Sequence, residues 1–164
     1  LKAAFVDTSA LAALLFDEPS SSGLSDILVD LEWVYASPLL EAEIRSAAAR
    51  ENLEQSDVDA VLSRVKWVQP DRPLTQEMKS IVSAGLYLRG ADLWHLACAL
   101  YLAGDPSVLP FVTLDGAQAE AAARLGFQVL PGRERGLEIR EAPAGYGLPK
   151  RRAGAKRKKG LRTP

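Results

Sequence analysis

Four carboxylates stand where the surrounding residues give them no simple packing role: Asp7, Glu43, Asp92 and Asp115. Asp7 and Asp115 close the apolar stretches "FVDTS" and "FVTLDG", each at a strand-to-helix change. Either alone reads as the cap of the next helix. Strand carboxyl ends of a parallel sheet share one edge, however, and ligands bind in the crevice outside it. After Asp7, Thr8 and Ser9 are capping types, expected to bind the free N–H groups of the helix and leave the carboxylate for a ligand. At 100° per residue, Leu39, Leu40, Ile44, Ala47 and Ala48 form an apolar arc in "SPLLEAEIRSAAA", and Glu43 projects from within it, whereas Glu41 falls at its border. A glutamate there needs either an ion pair, with Arg45 and Arg50 nearby, or a cation, because burying an unpaired carboxylate is costly. Asp92 is the acid of "ADLWHLACALYLA", in the first turn of an otherwise apolar helix, where the dipole and unpaired N–H groups favour its ionised form.

Four converging carboxylates repel one another unless a counter-charge joins them. With acids in excess, one histidine and one cysteine, the donor set suits Mg2+ or Mn2+ rather than zinc. Such ions activate water, orient a phosphodiester and stabilise a leaving oxygen.

The elements that must deliver these acids alternate. Strands are expected at "AAFV", "WVYAS", "KWVQP", "PFVTLD" and "FQVLP". Helices are expected after Asp7, around Leu24–Leu31, from about Pro38, from about Ser56 to Val65, from Leu74 to Leu86, from Ala91 to Ala103, and over "GAQAEAAARLG" with Gly126 closing it. Alternation of this kind implies crossover connections and a mainly parallel sheet with helices on both faces.

The 164 residues suit one domain with a core that needs no disulfide or structural metal, and the lone cysteine, Cys98, excludes a disulfide framework and a thiolate cluster. No apolar run reaches the roughly 18 residues of a membrane span. The N-terminal stretch has no signal-peptide pattern, so a reducing cytoplasmic location is expected. The net charge of -1 hides a division: residues 1–149 carry -9 and residues 150–164 carry +8. After Pro131 the periodicity fades, so residues 1–131 are expected to form the domain and 132–164 an extension, basic and flexible from about 149. Its Lys150, Arg151, Arg152, Lys156, Arg157, Lys158 and Lys159 either contact RNA phosphates through salt-sensitive attraction or form a solvated tail.

"FVDTSAL", "SPLLEAEIRSA", "RGADLWHLACAL" and "FVTLDGAQAEAAARLGFQVL" together resemble, in order and spacing, the PIN-domain family, and among its members the VapC-like toxin ribonucleases of bacteria and archaea. The resemblance spans about residues 3–131. It implies a three-layer α/β/α sandwich with a central, mainly parallel sheet of four or five strands, and metal-dependent endoribonuclease activity. By motif it assigns the acidic site to Asp7, Glu43, Asp92 and Asp115, with Asp7, Asp92 and Asp115 as Mg2+ or Mn2+ ligands and Glu43 as a further ligand or water-positioning base. It also implies that Thr8 or Ser9 and Thr113 orient the acids by hydrogen bonds, and that the protein is a homodimer with a VapB-like antitoxin partner.

Other classes fit less well. A receiver domain wants an aspartate ending the third strand and a late lysine, and neither is present in "KWVQP" or between Lys79 and Lys150. A haloacid-dehalogenase-like phosphatase wants a second aspartate where Ser9 stands. A non-toxin RNA-processing PIN nuclease and a catalytically idle RNA-binding scaffold remain open. His95, the only histidine, reads as a buried, hydrogen-bonded core residue, and Trp33, Trp67 and Trp94 as core packing.

Overall fold

The computed structural model describes residues 2–21 and 23–131. Five short strands, β1 (Ala3–Val6), β2 (Trp33–Ala36), β3 (Val65–Trp67), β4 (Phe111–Val112) and β5 (Val129–Leu130), form one sheet in the order β3-β2-β1-β4-β5. Every pairing is parallel. Among the described residues, seven α-helices connect them: α1 (Thr8–Leu15), α2 (Leu24–Val29), α3 (Pro38–Arg50), α4 (Gln55–Leu62), α5 (Thr75–Ser83), α6 (Gly90–Ala103) and α7 (Gly116–Arg124).

The central strand explains the layering. Ala4, Phe5 and Val6 are all fully buried, as a parallel strand covered on both faces must be. Ala4 and Val6 point into a core built with Leu11, Leu24, Leu40, Ile44 and Val58, from the helices α1 to α4. Phe5 points the other way, into a core with Ile81, Leu96, Ala99, Phe111 and Ala122, from the side of α5 to α7. The result is the expected α/β/α sandwich. From β1 the chain proceeds to β2 and β3 on one side, and later to β4 and β5 on the other, so the carboxyl ends of β1 and β4 flank the point where the topology reverses.

Several boundaries differ from the sequence reading. The fourth helix stops at Leu62 and β3 begins at Val65, because Val65 is drawn into the sheet opposite Val34. Helix α5 ends at Ser83, and Gly85, with φ 74°, turns the chain before Leu86 can extend it. Trp33 is not core: it is 40% exposed, with the Lys66 ammonium over its ring at 5.0 Å. Cys98 is buried on α6, and burial pushes its thiol up to about 12. Among the described residues, no helix is long and apolar enough to cross a membrane. The extension from 132 and its basic residues lie outside the described residues.

Candidate active site

The carboxyl edge is built around Asp7. Its backbone continues the sheet, the N–H donating to Val112 O at 2.9 Å, while its side chain is buried. The carboxylate is itself the cap of α1: Oδ2 accepts from the Ser9 N–H at 3.2 Å, from Ser9 Oγ at 2.8 Å and from Thr113 Oγ1 at 3.1 Å. This corrects the expectation that the two hydroxyls cap the helix. Ser9 instead joins two strand ends, its Oγ also accepting from Leu114 N at 2.9 Å and Asp115 N at 3.2 Å. Thr8 reaches across to α3 and donates to Glu43 Oε2 at 2.5 Å.

Glu43 sits at the flank of the α3 core face rather than within it. Leu40, Ile44 and Ala48 are buried, and the Glu43 side chain keeps 34% exposure. Of the two arginines considered for it, Arg45 instead binds Glu41 and Asp59 at 2.8 Å each. The partners of Glu43 are Thr8 and His95, whose Nε2 lies 2.9 Å from Oε2. The His95 bond, helped by Thr8, outweighs burial and holds the Glu43 carboxyl below its ordinary value.

His95 is buried and hydrogen-bonded, as the sequence implied, yet its partners belong to the acidic edge. Nε2 also stands 3.3 Å from Thr8 Oγ1 and 4.0 Å from Asp7 Oδ1, and Nδ1 is 2.8 Å from Ser37 Oγ.

Asp92 lies in the first turn of α6 without capping it; its Oδ1 accepts from Gln118 Nε2 at 3.2 Å. Burial is the largest influence and raises its carboxyl above the ordinary value; the Gln118 bond opposes this, and the charges of Asp115 and Asp7 add to it. That mutual repulsion marks the convergence of three acids. Asp115 is exposed and caps α7, its Oδ1 accepting from Gln118 N at 2.8 Å.

Gln118 is the residue the sequence reading missed. It is fully buried, bonds two of the acids, and leaves its own Oε1 without a partner among the described residues. A signal existed: Gln118, Ala121 and Ala122 share the buried face of α7, so a polar residue occupies a core position by the reasoning applied to Glu43.

One regularity runs through the four acids. Hydrogen bonds enter Asp7 and Glu43 at Oδ2 and Oε2, and Asp92 and Asp115 at Oδ1; among the described residues no hydrogen bond reaches the second oxygen of any of them, His95 Nε2 standing 4.0 Å from Asp7 Oδ1. Each carboxylate is anchored through one atom and offers the other. Among the described residues, no three of these side chains already close on one point at ligand distance. Their donor chemistry nevertheless fits a hard divalent cation, which takes carboxylate oxygens and water. The apolar groove lined by Leu14, Leu28, Val29 and Val61 offers nothing of this kind.

A model of the PIN domain matches residues 4–124, most of the chain and all four acids. The chain belongs to the PIN-domain family. PIN domains have a nuclease fold and are generally metal-dependent, which agrees with the unengaged oxygens at the sheet edge. No curated protein matches the chain. Within this PIN domain, Asp7 and Asp115 each cap a helix through one carboxylate oxygen.

Proposed function

We propose that this PIN domain is an endoribonuclease that hydrolyses RNA phosphodiester bonds with Mg2+ or Mn2+, acting as the toxin of a VapBC-type pair. The observation that carries the catalytic reading is the set of four carboxylates, each hydrogen-bonded, among the described residues, through one oxygen only. Asp7, Asp92 and Asp115 are the residues that would hold the cation, with Glu43 beside them. Bound there, the cation supplies positive charge that eases ionisation of a water and stabilises the leaving oxygen. Glu43, kept ionised by His95 and Thr8, takes the proton from the attacking water as its oxygen bonds to phosphorus and the opposite P–O bond breaks. Thr8, Ser9 and Thr113 hold the acids in place. The raised carboxyl of Asp92 supports a cation role, since crowded negative charge is what a divalent ion relieves.

The toxin assignment, the homodimer and the VapB-like partner follow the likeness of the four motifs to VapC proteins, and the cytoplasmic location follows the single-cysteine composition. The +8 charge of residues 150–164 supports attraction of RNA phosphates to an otherwise acidic body.

The test is to incubate full-length protein with structured RNAs and Mg2+ or Mn2+, with a chelator control and the variants Asp7→Asn and Asp92→Asn. Cation-dependent cleavage should fall by at least about a hundredfold in each variant. Cleavage that survives both substitutions rejects the site, and no cleavage by the wild type favours an idle RNA-binding scaffold. Growth arrest on expression, reversed by the product of a small adjacent reading frame, is expected for the toxin role.

A further inference from the structure

Ser37 occupies the N-cap of α3, with φ -76° and ψ 150°, and serine there ordinarily accepts a bond from a first-turn N–H. It makes no such bond. Its fully buried hydroxyl is turned instead to His95 Nδ1 at 2.8 Å. His95 is 1% exposed, and its other nitrogen meets Glu43 Oε2 at 2.9 Å.

The protons follow from the partners. An ionised carboxylate only accepts, so Nε2 must carry the hydrogen shared with Glu43. The Ser37 hydroxyl and Nδ1 share a buried hydrogen bond at 2.8 Å. Thr8 donates to the same Glu43 oxygen. Both imidazole nitrogens are thereby engaged. The chain of bonds also crosses the molecule: His95 belongs to α6, on one side of the sheet, and Ser37 and Glu43 cap and line α3 on the other.

We infer that Ser37 and His95 are positioning residues for Glu43, a hydroxyl-imidazole-carboxylate chain that pins Oε2 across the sheet edge and leaves Oε1 as the working oxygen. The inference rests on the nuclease reading for the role of Glu43. Two substitutions separate positioning from packing. In His95→Gln the side-chain amide nitrogen stands where Nε2 was and still donates to Glu43, whereas in His95→Asn the shorter amide reaches only the Nδ1 position. H95N should lower kcat by about 10- to 100-fold with KM unchanged, and H95Q should restore most of that loss. Ser37→Ala, which leaves the ring without its second anchor, should lower kcat by a smaller factor and serves as the test where H95N does not fold.

A second readout needs no turnover. His95 is the only histidine in the chain, so the imidazole nitrogens of the 15N-labelled full-length protein give one set of signals. They should show the Nε2–H tautomer, with Nε2 moved by Glu43→Gln and Nδ1 moved by S37A. Mn2+ affinity, read by calorimetry, should drop about tenfold in H95N and far less in H95Q. An Nδ1–H tautomer, or folded H95N with wild-type kcat and Mn2+ affinity, overturns the inference. Absence of cleavage in the wild type overturns the nuclease reading instead, and the tautomer and Mn2+ affinities then decide the inference by themselves.

Discussion

Asp7 and Glu43 are held by five donors drawn from Thr8, Ser9, Thr113 and His95, whereas Asp92 and Asp115 are held by two donors that both belong to Gln118. The first pair is fixed by hydroxyls, a backbone N–H and an imidazole before any cation arrives. The second pair keeps its charges close with little compensation. The carboxyl directions agree, since Glu43 is lowered chiefly by its His95 bond and Asp92 is raised chiefly by burial. One half of the edge is preorganised by hydrogen bonds, and the other carries negative charge that fewer hydrogen bonds offset.

The largest effect should come from removing a negative charge from the second half. Wild-type protein at a cation concentration a hundredfold above its Kd gains about 2.7 kcal/mol of stability, and Asp92→Asn should lose most of this, as read by calorimetry with and without Mg2+. A full cation-induced shift in the variant would remove Asp92 from the ligand set.

Breaking the first half should cost stability in the metal-free protein. Ser9→Ala removes a donor to Asp7 and strips Leu114 N of its acceptor, while Asp115 N keeps Thr113 Oγ1 at 3.0 Å, so urea unfolding should show a loss of about 2 kcal/mol.

Smaller effects of opposite sign should separate the halves further. At neutral pH with chelator present, Glu43→Gln should destabilise by about 1 kcal/mol and Asp92→Asn should stabilise by a similar amount. The signs follow from linkage. Glu43, lowered on folding, contributes stability above the ordinary carboxylate range and loses it as pH falls through its folded value. Asp92, raised on folding, carries no penalty below its ordinary value and becomes destabilising as pH rises through its folded value. Both differences from wild type should therefore vanish in acid, and urea midpoints across pH 3–7 would check it.

The smallest change should come from Gln118→Leu, which removes an unpaired buried carbonyl along with the donor to Asp92. These nearly offset in stability, within about 1 kcal/mol, while the Asp92 carboxyl moves further up, as a 13C titration would register.

The sequence shows the order of elements and the four acids because those rest on local pattern: strand ends, helix starts and a glutamate at the flank of an apolar arc. Glu41, at the border of that arc, is spent on Arg45, whereas Glu43 meets Thr8 and His95. What holds the acids was not legible. The bonds from Thr8 to Glu43, His95 to Glu43 and Thr113 to Asp7 join residues 35, 52 and 106 positions apart. Helical and strand periods carry no information about such pairs, so Thr8 and Ser9 read as caps and His95 as core. Gln118 could have been flagged by its helical face, but its two acidic partners could not.

Cys98 lies three residues beyond His95 on α6, and its thiol, pushed up to about 12, is nearly all neutral at physiological pH and sealed from solvent. A thiol reagent can reach it only when the helix under the acidic edge swings open or the domain unfolds. The chain's only cysteine thus acts as a built-in clock. Its labelling rate counts openings beneath Asp92, and the slowing of that clock by Mg2+ would time how firmly a cation stitches the two sides of the sheet together.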